Sequence, residues 1–372
     1  QEKIKVMSKS NQLTRVLQLH LGKSMNLARI RFLSLMILAL YKVQSVNFEK
    51  LATAFDSKAK RESSLRRIQR FISQYALPLD LVARLIFTLL PHRPPYSLLL
   101  DRTNWKSGST EINILMLSIA YQGVSFPILF SLLPGKGASS SEQRILLLER
   151  YIQLFGKQTI LYLMADREFT GESWLSFLHV ENIKYFIRIK DKSVTINSRN
   201  GKRIHIRGIF NRLAVNHVQF IPESFIIHGN ECYLSALCFI NDKGQKDLLV
   251  IISLENNHNS LELYRDRWQI ETMFRGFKSS GFNIEATHLR DIHRVEKLLA
   301  IVMIAFTWAY ITGVYRNEHQ KEIKIMKHGR KAKSFFKYGL EFIVQALMNP
   351  NKSKLFWIAL KILSCTKKYP SD

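Results

Sequence analysis

The chain has 372 residues, 47% of them hydrophobic, which allows two or three domains and excludes global disorder. Lys and Arg number 55 against 29 Asp and Glu, a net charge of +26, so the folded chain attracts polyanions, nucleic acid first among them. The three cysteines, Cys232, Cys238 and Cys365, form no C-x-x-C pair, so neither a disulfide framework nor a zinc site is supported and a reducing compartment fits best.

The basic excess is not confined to one tail. Residues 1–70 hold 15 basic against 4 acidic side chains and residues 316–372 hold 13 against 4, so both ends of the chain can face a polyanion. A generally basic proteome would give a similar total. Aromatic residues at 11% favour nucleic acid, because base stacking uses them alongside phosphate contacts.

Residues 1–85 read as helical. Leu13, Val16, Leu17 and Leu21 keep a helical apolar period, and residues 25–41 continue it with basic interruptions. The run at residues 32–41 is followed by no small-residue cleavage site, so no secretory signal is expected. Residues 47–55 and 63–71 suggest a helix-turn-helix-type pair. In its second helix Leu65, Ile68, Phe71 and Ile72 share one face and Arg66, Arg67 and Arg70 lie mostly on the other. These arginines are candidates for DNA contact; an ordinary amphipathic surface helix has the same pattern.

Pro78 and the proline cluster at residues 91–95 punctuate the end of this region. Residues 97–101 form a short apolar run ending in Asp101. Residues 112–121 and 124–133 are two further strands around the turn Gln122-Gly123. Ser139-Ser140-Ser141-Glu142 supplies capping chemistry for a helix over 142–155. Another buried strand, 159–165, ends at Asp166; a helix over 172–180 and a strand over 184–190 follow. Residues 191–255 alternate in the β manner and suggest an all-β insertion. Helices are expected over 260–277 and 292–314 and in the basic region after Arg316. The run Lys327-His328-Gly329-Arg330-Lys331-Ala332-Lys333 reads as a solvated face or as a contact for a DNA end or a second subunit. Residues 298–314 carry no charge; they are short for a membrane span and read as a buried helix.

Asp101 and Asp166 each close an apolar run. On adjacent parallel strands they would project at the same sheet edge, and a charge there needs compensation that a metal supplies. Either residue alone reads as a turn cap. On a helical wheel with Tyr264 at zero, Arg267, Glu271 and Lys278 fall at about −60°, −20° and −40°. One stripe thus carries an aromatic, two cations and a carboxylate, although Glu271 also stands at ion-pair spacing from Arg267 and Arg275. Phosphodiester chemistry needs carboxylates converging on two metals roughly 3.5–4 Å apart, with cations to hold phosphate. Mg²⁺ suits such a site, since it takes few carboxylates and uses substrate oxygens. The sequence holds no G-x-x-x-x-G-K-[ST], H-E-x-x-H or G-x-S-x-G, so ATP-driven, zinc-protease and serine-hydrolase chemistry are unsupported. His288 and His293 read as polar surface residues rather than ligands.

These residues carry a resemblance. Tyr264-x2-Arg267-x3-Glu271-x6-Lys278 matches a YREK signature, Asp101-Arg102-Thr103-Asn104-Trp105 a first-aspartate motif, and Asp166-Arg167-Glu168-Phe169 a second. Over residues 96–295 the chain resembles bacterial insertion-sequence transposases of the DDE class, in the insertion sequence 4 family. The resemblance implies an α/β fold with an RNase H-like catalytic core (91–190 and 256–315) interrupted by a β-rich insertion (191–255). An N-terminal helical DNA-end-binding domain (1–90) and a basic helical C-terminal region (316–372) would flank it. It implies Asp101, Asp166 and Glu271 as catalytic ligands of two Mg²⁺ ions, with Mn²⁺ as a substitute. Tyr264, Arg267 and Lys278 would grip phosphates at the element's end.

Cut-and-paste transposition in the bacterial cytoplasm, at the nucleoid, is the implied activity. Its partners would be double-stranded DNA (terminal inverted repeats and target) and a second copy of the chain, with no membrane. Hydrolysis frees a 3′-hydroxyl, which attacks the opposite strand to form a hairpin and, after opening, the target. Some members place a Trp in the insertion to hold a flipped base. Residues 232–261 contain none, which leaves Trp268 and Trp105 as the nearest, either of them a stacking surface or core, with Trp105 closer to core. A metal-dependent nuclease that cuts without joining, and an inactive DNA-binding descendant, are the alternatives.

Overall fold

The computed structural model describes residues 7–56, 59–197, 200–327 and 329–364. Gln1, His328 and Cys365 lie outside the described residues. Five helices come first: α1 (Lys9–Leu21), α2 (Leu27–Val43), α3 (Phe48–Thr53), α4 (Arg61–Gln74) and α5 (Leu79–Thr88). The strands β1 (Tyr96–Ser107), β2 (Thr110–Tyr121) and β3 (Val124–Leu133) form an antiparallel meander. They are followed by α6 (Ser141–Phe155), β4 (Ile160–Ala165), α7 (Glu172–Val180) and β5 (Tyr185–Ile189). Next come β6 (Val194–Asn197), β7 (Arg203–His205), the single turn α8 (Ile206–Ile209), β8 (Val218–Ile227), β9 (Asn230–Ile240) and β10 (Lys246–Ser253). A 3₁₀ turn (Arg265–Trp268) joins α9 (Ser260–Tyr264) to α10 (Gln269–Phe277); α11 (Ile292–His319), α12 (Phe335–Met348) and α13 (Ser353–Ser364) follow.

All ten strands belong to one mixed sheet, in the order β3-β2-β1-β4-β5-β10-β9-β8-β6-β7. β1, β4 and β5 run parallel through two crossovers that contain α6 and α7. The expected β-rich segment is therefore continuous with the rest: β10 pairs antiparallel with β5 and carries the sheet into β9 and β8. The segment is also not all-β, since α8 interrupts it.

Local chemistry accounts for the element ends. Ser140 Oγ accepts from Gln143 N at 3.1 Å and Gln143 Oε1 accepts from Ser140 N at 2.9 Å, a reciprocal cap that starts α6. The β1–β2 hairpin turns at Gly108, whose φ of 62° is open to glycine at little cost. This hairpin makes β1 longer than the apolar run at 97–101: Arg102 to Ser107 continue the ladder against β2. Asp101 is thus inside a strand, not at its end. The alternation after it is polar, and an apolar-run criterion stops too early.

α11 is apolar all round, as a helix buried on every side must be. Of its most apolar 18-residue window, 94% is buried inside the protein. It packs against α2, α5, α12, α13 and β3, so the N-terminal helices, the sheet and the C-terminal helices share one apolar core. Tyr41 on α2 donates to the Ala305 carbonyl at 2.5 Å and Trp308 Nε1 to the Ala359 carbonyl at 2.9 Å. At the α11–α12 crossing, a Cβ on Gly339 would fall 1.8 Å from the Ala309 oxygen and one on Gly313 1.8 Å from the Phe335 oxygen. Two glycines facing each other let the backbones touch. After α11 the described residues 320–327 and 329–334 are non-helical, so among the described residues that follow, the basic C-terminal region is helical in α12, α13 and the short 3₁₀ turn Pro350–Lys352 between them.

His92 stacks on Tyr121 with ring centroids 4.6 Å apart and meets the Tyr96 ring edge-on at 4.8 Å. Burial pushes its pKa from the ordinary 6.5 down to about 4. Between those values the unfolded chain binds the proton and the folded chain does not. The stability contribution is full above pH 6.5 and is lost as pH falls towards 4. His92→Phe should therefore flatten the acid limb of the stability profile. Unfolding free energies from urea titrations at neutral and mildly acidic pH should differ by roughly 1–2 kcal/mol less in the variant than in the parent; equal losses in both would show that His92 does not titrate this way.

Candidate active site

β1 and β4 run parallel with Leu100 opposite Ala165. The next residue on each strand is an aspartate, so Asp101 and Asp166 stand side by side where β4 ends and β1 continues. The topology brings the two together as the sequence expectation required. Glu271 comes from α10, which packs on β1, β2 and β3. Glycines seat this helix's far end: a Cβ on Gly276 would lie 2.5 Å from the Phe306 ring, and one on Gly281 2.0 Å from the Gly276 oxygen.

Arg267 joins the carboxylates. Its Nη1 donates to Asp101 Oδ2 at 3.1 Å and its Nη2 to Glu271 Oε1 at 2.7 Å. The other Asp101 oxygen accepts from the Arg102 amide at 2.7 Å. Even so, Asp101 is pushed up to about 6. Burial is the main cause; Arg267 and the amide oppose it, and Asp166 and Glu168 add to it. Asp166 faces Arg188 Nη1 at 3.7 Å, and its Oδ1 is buried with no hydrogen-bond partner. Among the described residues, no group of three or more His, Cys, Asp or Glu is gathered tightly enough to hold a metal ion. The guanidinium of Arg267 stands between two of the acids instead.

Tyr264 is buried rather than offered to solvent, and its hydroxyl has no hydrogen-bond partner. Burial raises its pKa, with Arg267 opposing and Asp166 reinforcing, so it keeps its proton. The Arg267 guanidinium lies 5.8 Å from the centre of its ring. The 3₁₀ turn over 265–268 means that the wheel drawn for a continuous helix does not apply. Lys278 lies outside the helix as the C-terminal cap of α10, with φ −91° and ψ −112°. It still turns to the site region, donating to the Asn104 carbonyl at 3.3 Å and pairing with Glu285 at 2.8 Å. Its ammonium sits 5.9 Å from the Trp105 ring centre. Trp105 is buried, in line with the core reading. Trp268 is 59% exposed and lies between two clefts, one shared with Tyr264 and Arg267 and the other with Gly123 and Gln269.

Arg66, Arg67 and Arg70 are exposed on α4, away from its buried Ile68, Phe71 and Ile72 face. Arg67 reaches over the Phe32 ring at 5.6 Å. α4 packs on α3 and α11, so these arginines form a surface of their own and are not drawn into the carboxylate site.

Sequence reasoning missed the frame around the aspartates. Arg102 donates to both Glu168 oxygens, at 3.1 and 3.2 Å, and to Asn113 Oδ1 at 3.1 Å. The two aspartate motifs are thereby tied to each other. Arg144, 3% exposed, donates to Ser139 Oγ at 2.8 Å, the Ser139 carbonyl at 2.5 Å, the Glu168 carbonyl at 2.9 Å and the Thr170 carbonyl at 2.9 Å. Burial lowers its pKa to about 10, partly offset by Glu168, and it stays charged at neutral pH. It pins the turn after Asp166 to the start of α6. Nothing in an amphipathic helix pattern marks such an inward arginine. Arg188 did leave a signal: it is the one cation in the apolar strand Tyr-Phe-Ile-Arg-Ile.

Arg144→Met should leave three carbonyl oxygens without their donor and cost roughly 2–4 kcal/mol. Arg144→Lys should recover part of that loss. Urea unfolding of both variants checks this; a loss below about 0.5 kcal/mol in the Met variant would refute the clamp.

A family model described as a transposase DDE domain matches residues 92–308, a span that contains Asp101, Asp166 and Glu271. No curated protein matches the chain.

Proposed function

The chain belongs to the transposase DDE-domain family, and from that premise we propose that it cuts and rejoins DNA at the ends of an insertion sequence, as a member of the insertion sequence 4 group with the YREK signature. The observation that carries this is the placement of Asp101 and Asp166 side by side on parallel strands, with Glu271 joined to Asp101 through Arg267. The strand order β3-β2-β1-β4-β5, antiparallel in its first three members and parallel after them, supports an RNase H-like catalytic region.

The chemistry of the donors fits a divalent cation, which would have to draw the three acids together in place of Arg267. Asp101 is buried with its carboxyl pushed up to about 6, and Asp166 has a buried oxygen with no hydrogen-bond partner. Arginines are the cations that face both at present, and oxygen donors of this kind suit Mg²⁺ or Mn²⁺. Asp101, Asp166 and Glu271 would hold the ions, which when bound lower the pKa of an attacking water or 3′-hydroxyl and stabilise the leaving oxygen. Arg267, relieved of Asp101 and Glu271, would offer its guanidinium to a phosphate, for which its planar fork is shaped. Tyr264 keeps its proton beside the aspartates and can donate it to a phosphate oxygen in a hydrogen bond. Lys278 contributes a point charge at the edge. Exposed Trp268 can stack on a base, which is the support for a hairpin route to the second-strand cut.

Arg66, Arg67 and Arg70 would contact the terminal repeat, and two copies of the chain would pair the element's ends before strand transfer. The working place is the bacterial nucleoid.

Glu271→Ala should keep DNA binding and lose Mg²⁺-dependent nicking down to the EDTA background. The assay uses a labelled duplex bearing the element's own terminal repeat together with supercoiled target. Nicking by that variant would sink the ligand assignment, and nicking without joined product in the parent would make the chain a nuclease. Lys278→Ala should reduce the slope of log affinity against log salt by about one, as expected for one lost phosphate contact. An unchanged slope would remove Lys278 from the phosphate grip.

A further inference from the structure

Beyond the carboxylates, the β-rich segment builds a second feature. The end of β5, the chain after it, Arg207 on α8 and the β9–β10 hairpin surround a cleft of about 300 Å³. Six cations line it (Arg167, Arg188, Lys190, Lys192, Arg207 and Lys246) against two carboxylates, Asp191 and Asp247. The two carboxylates leave the lining with an excess of positive charge. Asp191 is taken by Arg207 at 3.1 Å, and Asp247 Oδ1 accepts from the Leu248 amide at 2.8 Å. Arg188 faces Asp166. Arg167, Lys190, Lys192 and Lys246 have no ion-pair partner among the described residues.

Like charges gathered in a concave site repel one another and focus a positive potential on the space between them. Such an arrangement is favourable with an anion in place. The anion's nature follows from the lining. No aromatic side chain faces the cleft, so bases have nothing to stack on. Lysine ammonium groups read charge without regard to sequence. The cleft's position says where the anion comes from. Arg167 directly follows Asp166, and Arg188 both lines the cleft and faces Asp166, so the cleft begins where the candidate active site ends.

We propose that this cleft is a phosphate subsite that holds the sugar–phosphate backbone of one DNA strand beside the scissile phosphate, independently of sequence. The proposal rests on the reading of the chain as a DNA-cutting enzyme. It gives the β10–β5 junction a purpose: pairing the two strands carries the cationic hairpin up to the catalytic edge and fixes it there.

The test uses the full chain and a mixed-sequence duplex followed by fluorescence anisotropy over a salt series. Lys190→Ala/Lys246→Ala removes two exposed cations from the cleft. Lys243→Ala removes one from the same hairpin outside the cleft lining. The double variant should melt with the parent and lose about two units from the slope of log affinity against log salt, while Lys243→Ala leaves the slope within about half a unit. The loss should be the same on a second duplex of unrelated sequence. A double variant with the parent's slope overturns the subsite and leaves DNA binding intact. A loss confined to one of the two sequences overturns sequence-independent phosphate contact. A parent chain that binds neither duplex overturns the DNA-cutting reading, and the subsite with it.

Discussion

Acidic side chains can share a small, half-dry volume only if positive charge is set among them, and the site is organised around that requirement. Arg267 lies between Asp101 and Glu271, Arg188 faces Asp166, and Arg102 grips Glu168. Each arginine reaches its acid from a different part of the chain. Arg102 follows Asp101 on its strand, Arg188 comes from the neighbouring parallel strand, and Arg267 comes from a turn about a hundred residues further on. Without Arg267, the desolvation that already lifts Asp101 to about 6 would push it further towards neutrality. Carboxylic acids are poor metal ligands. Arg267 therefore favours the ionised form of Asp101 in the folded chain, and the arginines are the groups a phosphate would meet.

The same requirement explains the stiffness of the surroundings. Two strands fix the aspartates relative to each other, but the turn after Asp166 has no ladder to hold it. Arg144 does that work from α6, and the Arg102–Glu168 pair ties the turn back to β1. A charged pair this enclosed contributes little net stability, because desolvation offsets its attraction. Its value is positional.

Much of this was legible in the chain itself. Apolar runs located the strands β2 to β5, Asp166 stood at the end of its run as it does on its strand, and the spacing of Arg267 and Glu271 anticipated their ion pair. The reading failed where geometry depends on partners distant in sequence. β1 outlasts its apolar stretch because β2 folds back on it. The helix carrying Tyr264 and Glu271 tightens into a 3₁₀ turn, and burial then closes over Tyr264. The β-rich segment reads as separate because its alternation differs, yet the β10–β5 ladder joins it to the sheet. Arg144 was invisible, since a single inward cation does not disturb a helical period. The placement of the two aspartates on neighbouring parallel strands was legible; the cations set around them mostly were not.

α11 is encoded late, at residues 292–319, but α2 and α5 from the first quarter of the chain bury apolar side chains against it. The Gly313–Gly339 contact then locks α12 onto its other flank. During synthesis the N-terminal helices therefore leave the ribosome long before their packing surface exists. Some two hundred residues, including the whole sheet, must follow before those apolar faces are covered. Through that interval those faces lack their native partner, and the chain's own late helix is what ends the exposure.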